Sequence, residues 1–315
     1  MAQRGETPAR GVIDTLSAGY SHLNQRLWVL LIPIVVDLVL WRAPRITLEP
    51  LVRDVLAPRV QELAAVEQAG AAELQEALDG LRSLNLLSLL ALGPIEVPSL
   101  IAVLGGGVGP ALDVATGVTL GLIPVLFLAG TLLGAVFAAV LAQQVVWGKV
   151  VASVLPRDVW QGWYRMLVVA FALTAAGLAV GTPALLALAV LNLVSPLLAG
   201  LAALVLVAVA TLLLPALWLL PPAVFVGRLG AWNAVVSSVR TFWRYPGGTL
   251  ALLGLSLLIT AGFGIIWERL SASAVGTLLG IVGNAYIATG LLAARMVFYH
   301  DRARSLDRAG QEEAA

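Results

Sequence analysis

The chain contains no cysteine, which excludes disulfides, thiolate metal sites and a thiol nucleophile. Its two histidines, His22 and His300, are too few for a multi-histidine metal cluster. Charge is scarce. Only 12% of residues are charged, against about 25% in an ordinary globular domain. Lysine is nearly missing, since Lys149 stands alone among the basic residues and the rest are arginine. The longest gap in charge runs from Met166 to Gly227, 62 residues without one charged side chain. A water-soluble domain does not bury such a run. A bilayer does, because about 20 apolar residues cross its hydrocarbon core as one helix. No catalytic, metal-binding or nucleotide motif stands out, so no cofactor and no nucleic-acid partner is expected.

What remains is apolar sequence cut by short charged segments. Sixty per cent of residues are hydrophobic. The pattern predicts an all-α fold, a polytopic membrane bundle of six transmembrane helices. The spans are placed at about 23–41, 115–147, 164–193, 197–226, 246–267 and 272–298. The polar stretch ahead of Leu27 lacks a small-residue cleavage pattern, so the first apolar segment is read as a retained anchor. The 62-residue run is the ambiguous part. Ser195-Pro196 is its best break, because the residue before proline avoids helical geometry. A second break at Gly181-Thr182-Pro183 would make three helices there instead of two.

Charge asymmetry favours two. With six spans, thirteen of the nineteen basic residues fall on one side, in segments around Arg10, Arg157, Arg240 and Arg302. The positive-inside rule makes that side cytoplasmic. The expected location is the bacterial plasma (inner) membrane, multi-pass, with both termini cytoplasmic and a cytoplasmic tail at 300–315.

The segment 42–109 is read as an extracytoplasmic insertion. Val60, Leu63, Val66, Leu74, Leu78 and Leu81 are spaced as one stripe of an amphipathic helix, and most of the acids lie off that stripe. Leu84–Leu92 and Ile95–Leu104 are apolar, but Gly93-Pro94 and Pro98 interrupt them. They are too short to span and are expected on the membrane surface or over the bundle. The amphipathic part is either a solvated cover or a docking surface for a protein partner. Trp147–Val154 and Trp232–Val239 match at five of eight positions, 85 residues apart, which suggests repeated units of interfacial helix plus hairpin.

Asp37 is the one ionisable residue well inside a span, and intramembrane acids are functional candidates by default. It is expected either to pair with Arg45 or Arg269 or to serve a proton or substrate. Gln143, Asn192 and Asn284 complete the candidate intramembrane polar site, with Gln144 and Tyr286 also at membrane depth. Amides in bundles commonly bond between helices. Gly130-Thr-Leu-Leu-Gly134 and Gly276-Thr-Leu-Leu-Gly280 are identical small-xxx-small pentapeptides. They are candidate packing sites, against each other or between two copies in a homo-oligomer. Prolines such as Pro124 and Pro215 either bend helices or help to line a cavity.

Trp160, Trp163, Arg165, Trp232, Arg240, Trp243 and Arg244 cluster in the basic segments as candidate lipid contacts. Arginine and tryptophan together beside a span mark an interfacial helix among anionic headgroups. Ala231-Trp-Asn-Ala-Val-Val-Ser-Ser-Val239 and the topology from Trp147 onward resemble a broad class of six-span bacterial membrane proteins. That class includes the membrane domain attached to some glycerophosphodiester phosphodiesterases. The phosphodiesterase catalytic domain is missing here, so the resemblance implies membrane residence and lipid-proximal work and carries over no catalytic residue. The expected function is therefore non-enzymatic: a scaffold, assembly or lipid-proximal module whose partner is membrane lipid. The alternative is a small transporter or channel subunit for a lipid-like or apolar substrate.

Overall fold

The computed structural model describes residues 10–66, 71–105 and 107–313, and the described residues are 83% helical. The helices, in order, begin with α1 (Val12–Asn24), α2 (Leu31–Arg42, after a 3-10 turn at Leu27–Leu30), α3 (Glu49–Leu51) and α4 (Ala57–Val66). Next come α5 (Ala71–Ser83), α6 (Leu100–Leu104), α7 (Thr116–Trp147), α8 (Leu155–Val194) and α9 (Pro196–Trp218). The last are α10 (Leu220–Phe225), α11 (Ala231–Arg244), α12 (Pro246–Leu270) and α13 (Ala274–Glu313). Two short strands, β1 (Arg45–Ile46) and β2 (Ala111–Leu112), pair in parallel.

Among the described residues, five helices are long and apolar enough to cross a bilayer: α7, α8, α9 with α10, α12 and α13. A sixth candidate is the pair Val12–Asn24 and Leu27–Arg42, which a bend interrupts at Gln25-Arg26. This differs from the expected uninterrupted helix over 23–41. The apolar run is too short to span alone, and the chain breaks where its flanking charges begin.

The 62-residue charge-free run forms one hairpin. Ser195 is extended, with φ −158° and ψ 108°, which avoids the clash an α conformation would make with the ring of Pro196. Its hydroxyl then accepts from the Leu198 amide, so the residue that ends α8 also caps α9. Pro183 stays inside α8 without ending it. Residues 171–180 are all exposed, so the outer half of α8 presents apolar side chains all round. Lipid is a suitable solvent for such a surface.

The chain divides into two compact units. Unit 1 comprises Met1–Arg26, Ala138–Ile259 and Gly290–Ala315. Its core is the end of α7, with Ala139 and Leu141, together with Leu219–Phe225, Phe242 and the α13 segment Ala293–Tyr299. Glycine permits close approach on α13: a Cβ at Gly290 would collide with the Tyr20 ring, and one at Gly19 with the Ala294 backbone. In α11, Ala234, Ser238, Thr241 and Phe242 are buried, the i, i+4, i+7, i+8 face of an amphipathic helix.

Unit 2 comprises Leu27–Phe137 and Thr260–Thr289. The insertion is tied at its base by β1 and β2, which join Arg45 to Ala111 and Ile46 to Leu112. Its second half does not lie on a surface. Leu86, Ala91, Ile95, Val97, Leu100 and Ile101 are all buried. The carbonyl groups of Leu89 and Ile95 sit where a Cβ of Gly130 and Gly134 would be. The glycine pair on α7 therefore receives the backbone of the insertion, rather than the matching pair on α13 or a second copy. Gly276 faces the Leu270 carbonyl in the α12–α13 turn, and Gly280 faces the Leu100 side chain.

Two further expectations are corrected. Trp147–Val154 is the end of α7 and a turn containing Gly148 at φ 65°, whereas Trp232–Val239 is helical. The similar octapeptides thus adopt different structures, and Trp160 and Trp163 belong to the first turns of α8, not to a separate interfacial helix. The 300–315 tail continues α13 as helix to Glu313.

Candidate functional site

The buried intramembrane acid has a structural partner of an unexpected kind. Asp37 is 0% exposed on α2. Its carboxylate accepts the Ser99 hydroxyl, the Leu100 amide at 2.9 Å and the Ile101 amide at 3.0 Å. These are the first groups of α6, whose amides have no partner within the helix. The Ser99 hydroxyl in turn accepts from the Ala102 amide at 3.0 Å. Neither Arg45 nor Arg269 pairs with Asp37. Arg45 instead donates to the Gly109 carbonyl at 3.3 Å.

The four polar residues expected to form an intramembrane site differ in their surroundings. Asn192 is exposed on α8. Asn284 is half-buried on α13. Gln143 is buried at the end of α7 and belongs to a different cluster. Among the described residues no hydrogen bond joins any two of the four. Nor do the described residues contain a group of three or more His, Asp or Glu side chains able to hold a metal ion.

That different cluster is in unit 1. Gln143 accepts from the Val151 amide at 2.9 Å and donates to Asp158 Oδ2 at 2.8 Å. Asp158 stands in the first turn of α8, where the helix dipole favours an anion. Arg228 reaches the same oxygen with Nη2 and lays its guanidinium over the Trp147 ring, 4.5 Å from the centroid. Arg165 donates from Nη1 to the Arg228 carbonyl at 2.9 Å. Arg228 has φ 52°, and it alone among the described non-glycine residues has positive φ. Such a conformation costs about 1–3 kcal/mol and persists only where the surroundings over-determine it. Here an ion pair, a cation–π contact and a carbonyl bond do so. Arg165, a candidate lipid contact in the sequence, is thus committed to holding this loop.

The held loop walls a cavity of about 330 Å³ between α11 and the far part of α13. Asn233, Ser237 and Arg240 line it from α11, Tyr299 and Ala303 from α13, and Leu229 from the loop. Ser237 Oγ and the Tyr299 hydroxyl are 2.7 Å apart. On the remaining surface of α11, Trp232 is 76% and Trp243 65% exposed, and Arg244 is exposed as well. On α8, Trp160 is 63% exposed and stands 5.1 Å from Trp163.

Sequence reasoning singled out Arg240 but not Asp158, Arg228, Ser237 or Tyr299. Asp158 and Arg228 are 70 residues apart, on either side of the charge-free hairpin. The available signal was position: Arg228 is the first charge after the run. Comparisons with protein-family models, with curated proteins and with solved structures found no match.

Proposed function

We propose that this chain is a non-enzymatic, six-span protein of the bacterial inner membrane that works as a lipid-proximal module at the cytoplasmic surface, with both termini cytoplasmic. The observation that carries the reading is α11. One face of that helix is buried in unit 1 while Trp232, Arg240, Trp243 and Arg244 are exposed. Aromatic rings and arginines on one open face suit the headgroup region, where rings sit among lipids and cations meet anionic phosphates. The excess of arginine around α11 and the start of α8 supports the cytoplasmic side. The resemblance of Ala231–Val239 to membrane domains that accompany glycerophosphodiester chemistry points the same way.

The lack of native cysteine makes the test clean. Asn233→Cys and Gln75→Cys place single thiols at exposed positions on α11 and in the insertion. An impermeant maleimide added to intact spheroplasts should label Gln75→Cys and spare Asn233→Cys, with the pattern reversed in inverted vesicles. A nitroxide on Trp243→Cys should be quenched by oxygen more than by a water-soluble nickel chelate. The opposite labelling pattern refutes the orientation, and a nitroxide that sees only the chelate refutes the lipid-surface role.

A further inference from the structure

We infer that the cavity between α11 and α13 is a binding site for a phosphoester anion, the chemistry of a phospholipid headgroup. The inference rests on the reading of α11 as an interfacial helix and adds a ligand and a location to it. The volume, about 330 Å³, is at the lower end of the range for small-ligand pockets, about 300–1,000 Å³.

The lining has the chemistry of an anion site with an apolar floor. Arg240 makes no ion pair with another described residue, so its guanidinium fork is available to a phosphate, whose geometry it matches. Asn233 lies seven residues before Arg240 and Ser237 three before it, so α11 presents all three on one side. The Ser237 and Tyr299 hydroxyls share one hydrogen bond in which either can be the donor. When Tyr299 donates, the Ser237 hydroxyl proton is free to turn into the cavity. No Asp or Glu lines the space, so nothing there repels an anion. Leu229 and Ala303 supply apolar surface for the carbon skeleton that carries the phosphate.

The wall is set before any ligand arrives. A Cβ at Gly227 would lie 2.7 Å from the Ala223 carbonyl oxygen and 3.0 Å from the Tyr299 hydroxyl, so glycine lets the chain turn tightly after α10 where it passes α13. The next residue, Arg228, is held in its left-handed conformation by Asp158, Trp147 and Arg165. Strain maintained beside a cavity is the arrangement expected of a preorganised site.

The test uses the full chain, delipidated in detergent, with native mass spectrometry as readout. Phosphatidylglycerol is the lipid probe, diacylglycerol the control without phosphate, and glycerol 3-phosphate the soluble probe. Wild type should retain one phosphatidylglycerol, and Arg240→Gln and Ala303→Phe should each lower that retention at least tenfold. Gly121→Ala, on α7 where an added methyl group meets nothing within 4 Å, should retain it. Thermal melting of each variant confirms that it is folded. If glycerol 3-phosphate binds instead, with the same dependence on Arg240, the site is a phosphoester site supplied from water, and the inference still holds. Retention unchanged in both cavity variants, equal retention of diacylglycerol, or no Arg240-dependent binding of either phosphate probe overturns it. The nitroxide measurement at residue 243 separates the two proposals. If α11 lies in the headgroup region and no probe binds, the cavity assignment fails alone. If α11 lies in water, the lipid-surface reading fails, and glycerol 3-phosphate decides the cavity.

Discussion

Leu100 donates its amide hydrogen to Asp37 Oδ2 at 2.9 Å across 63 residues of sequence. Through this bond an acid within an apolar helix becomes the cap of another helix, with Ser99 and Ile101 as further donors. A carboxylate at a helix N-terminus meets both the orphan amides and the positive end of the dipole.

Asp37→Ala should therefore destabilise the protein and leave its insertion into the membrane intact. Removing the carboxylate strands buried amides, at a cost of about 1–3 kcal/mol. Asp37→Asn, which keeps an acceptor oxygen, should cost less. Ser99→Ala in the Asp37→Ala background should add less than it does alone, because the two residues in contact form one network. Denaturation in detergent, read by circular dichroism for the four chains of the cycle, checks this. Additive losses would rule out the shared network.

The glycines of α7 should divide sharply by position. Gly130→Ala and Gly134→Ala each place a methyl group on a carbonyl of the insertion, and overpacking of this sort costs about 1–3 kcal/mol. Gly117→Ala and Gly121→Ala meet nothing within 4 Å. They should leave stability unchanged or raise it by up to about 1 kcal/mol, the helix-propensity gain over glycine. The comparison of melting temperatures within this set of four is the measurement. Equal effects at all four positions would contradict the packing of Leu89 and Ile95 on α7.

Arg228 and Asp158 should behave as one unit. Arg228→Gln and Asp158→Asn each break the bond beneath the strained loop, so the pair should show a coupling energy of about 0.5–3 kcal/mol in a double-mutant cycle. Arg228→Gly is the informative third variant. It relieves the φ 52° conformation while losing the ion pair, and should be milder than Arg228→Ala, which loses the pair and keeps the strain. Stability in detergent resolves the order, and Gly more damaging than Ala would contradict it.

Acid should loosen the insertion at Asp54. The hydrogen bond from Arg53 and a second from Thr116 hold the Asp54 carboxyl below its ordinary value of 3.8. A depressed folded-state value means that the native state binds protons less readily than the unfolded chain. The stabilisation is present above the ordinary value and is lost as pH falls through the folded-state value. Exchange of the amides of residues 51–57, corrected for intrinsic rates, should show weaker protection at pH 3 than at pH 6. Asp54→Asn should flatten that difference, and an undiminished difference would exclude Asp54 as its source.

Much of the architecture was legible in one dimension, because lipid imposes a one-dimensional criterion. A segment without charge for about 20 residues can span, and one with charge resists spanning. The helix break at Ser195 was readable for a local reason, the steric demand of Pro196 on its predecessor. The exposed tryptophans and arginines of α11 were readable from amphipathic spacing.

The partners of the polar residues were not legible. Nothing in the run around Asp37 names Ser99, and nothing in Gly130-Thr-Leu-Leu-Gly134 distinguishes a neighbouring helix from the carbonyl groups of Leu89 and Ile95. Such pairings depend on how a folded insertion reaches back to its own bundle. Arg228 meets Asp158 for a similar reason, since the hairpin between them returns the chain to its starting side. The sequence by itself determined which segments are apolar enough to span and which carry the arginines, because solvation acts residue by residue. Only the tertiary structure decided what Asp37 caps, what the glycines of α7 receive and which residues enclose the cavity beside Arg240, because a hydrogen bond or a close contact is set by distance in space.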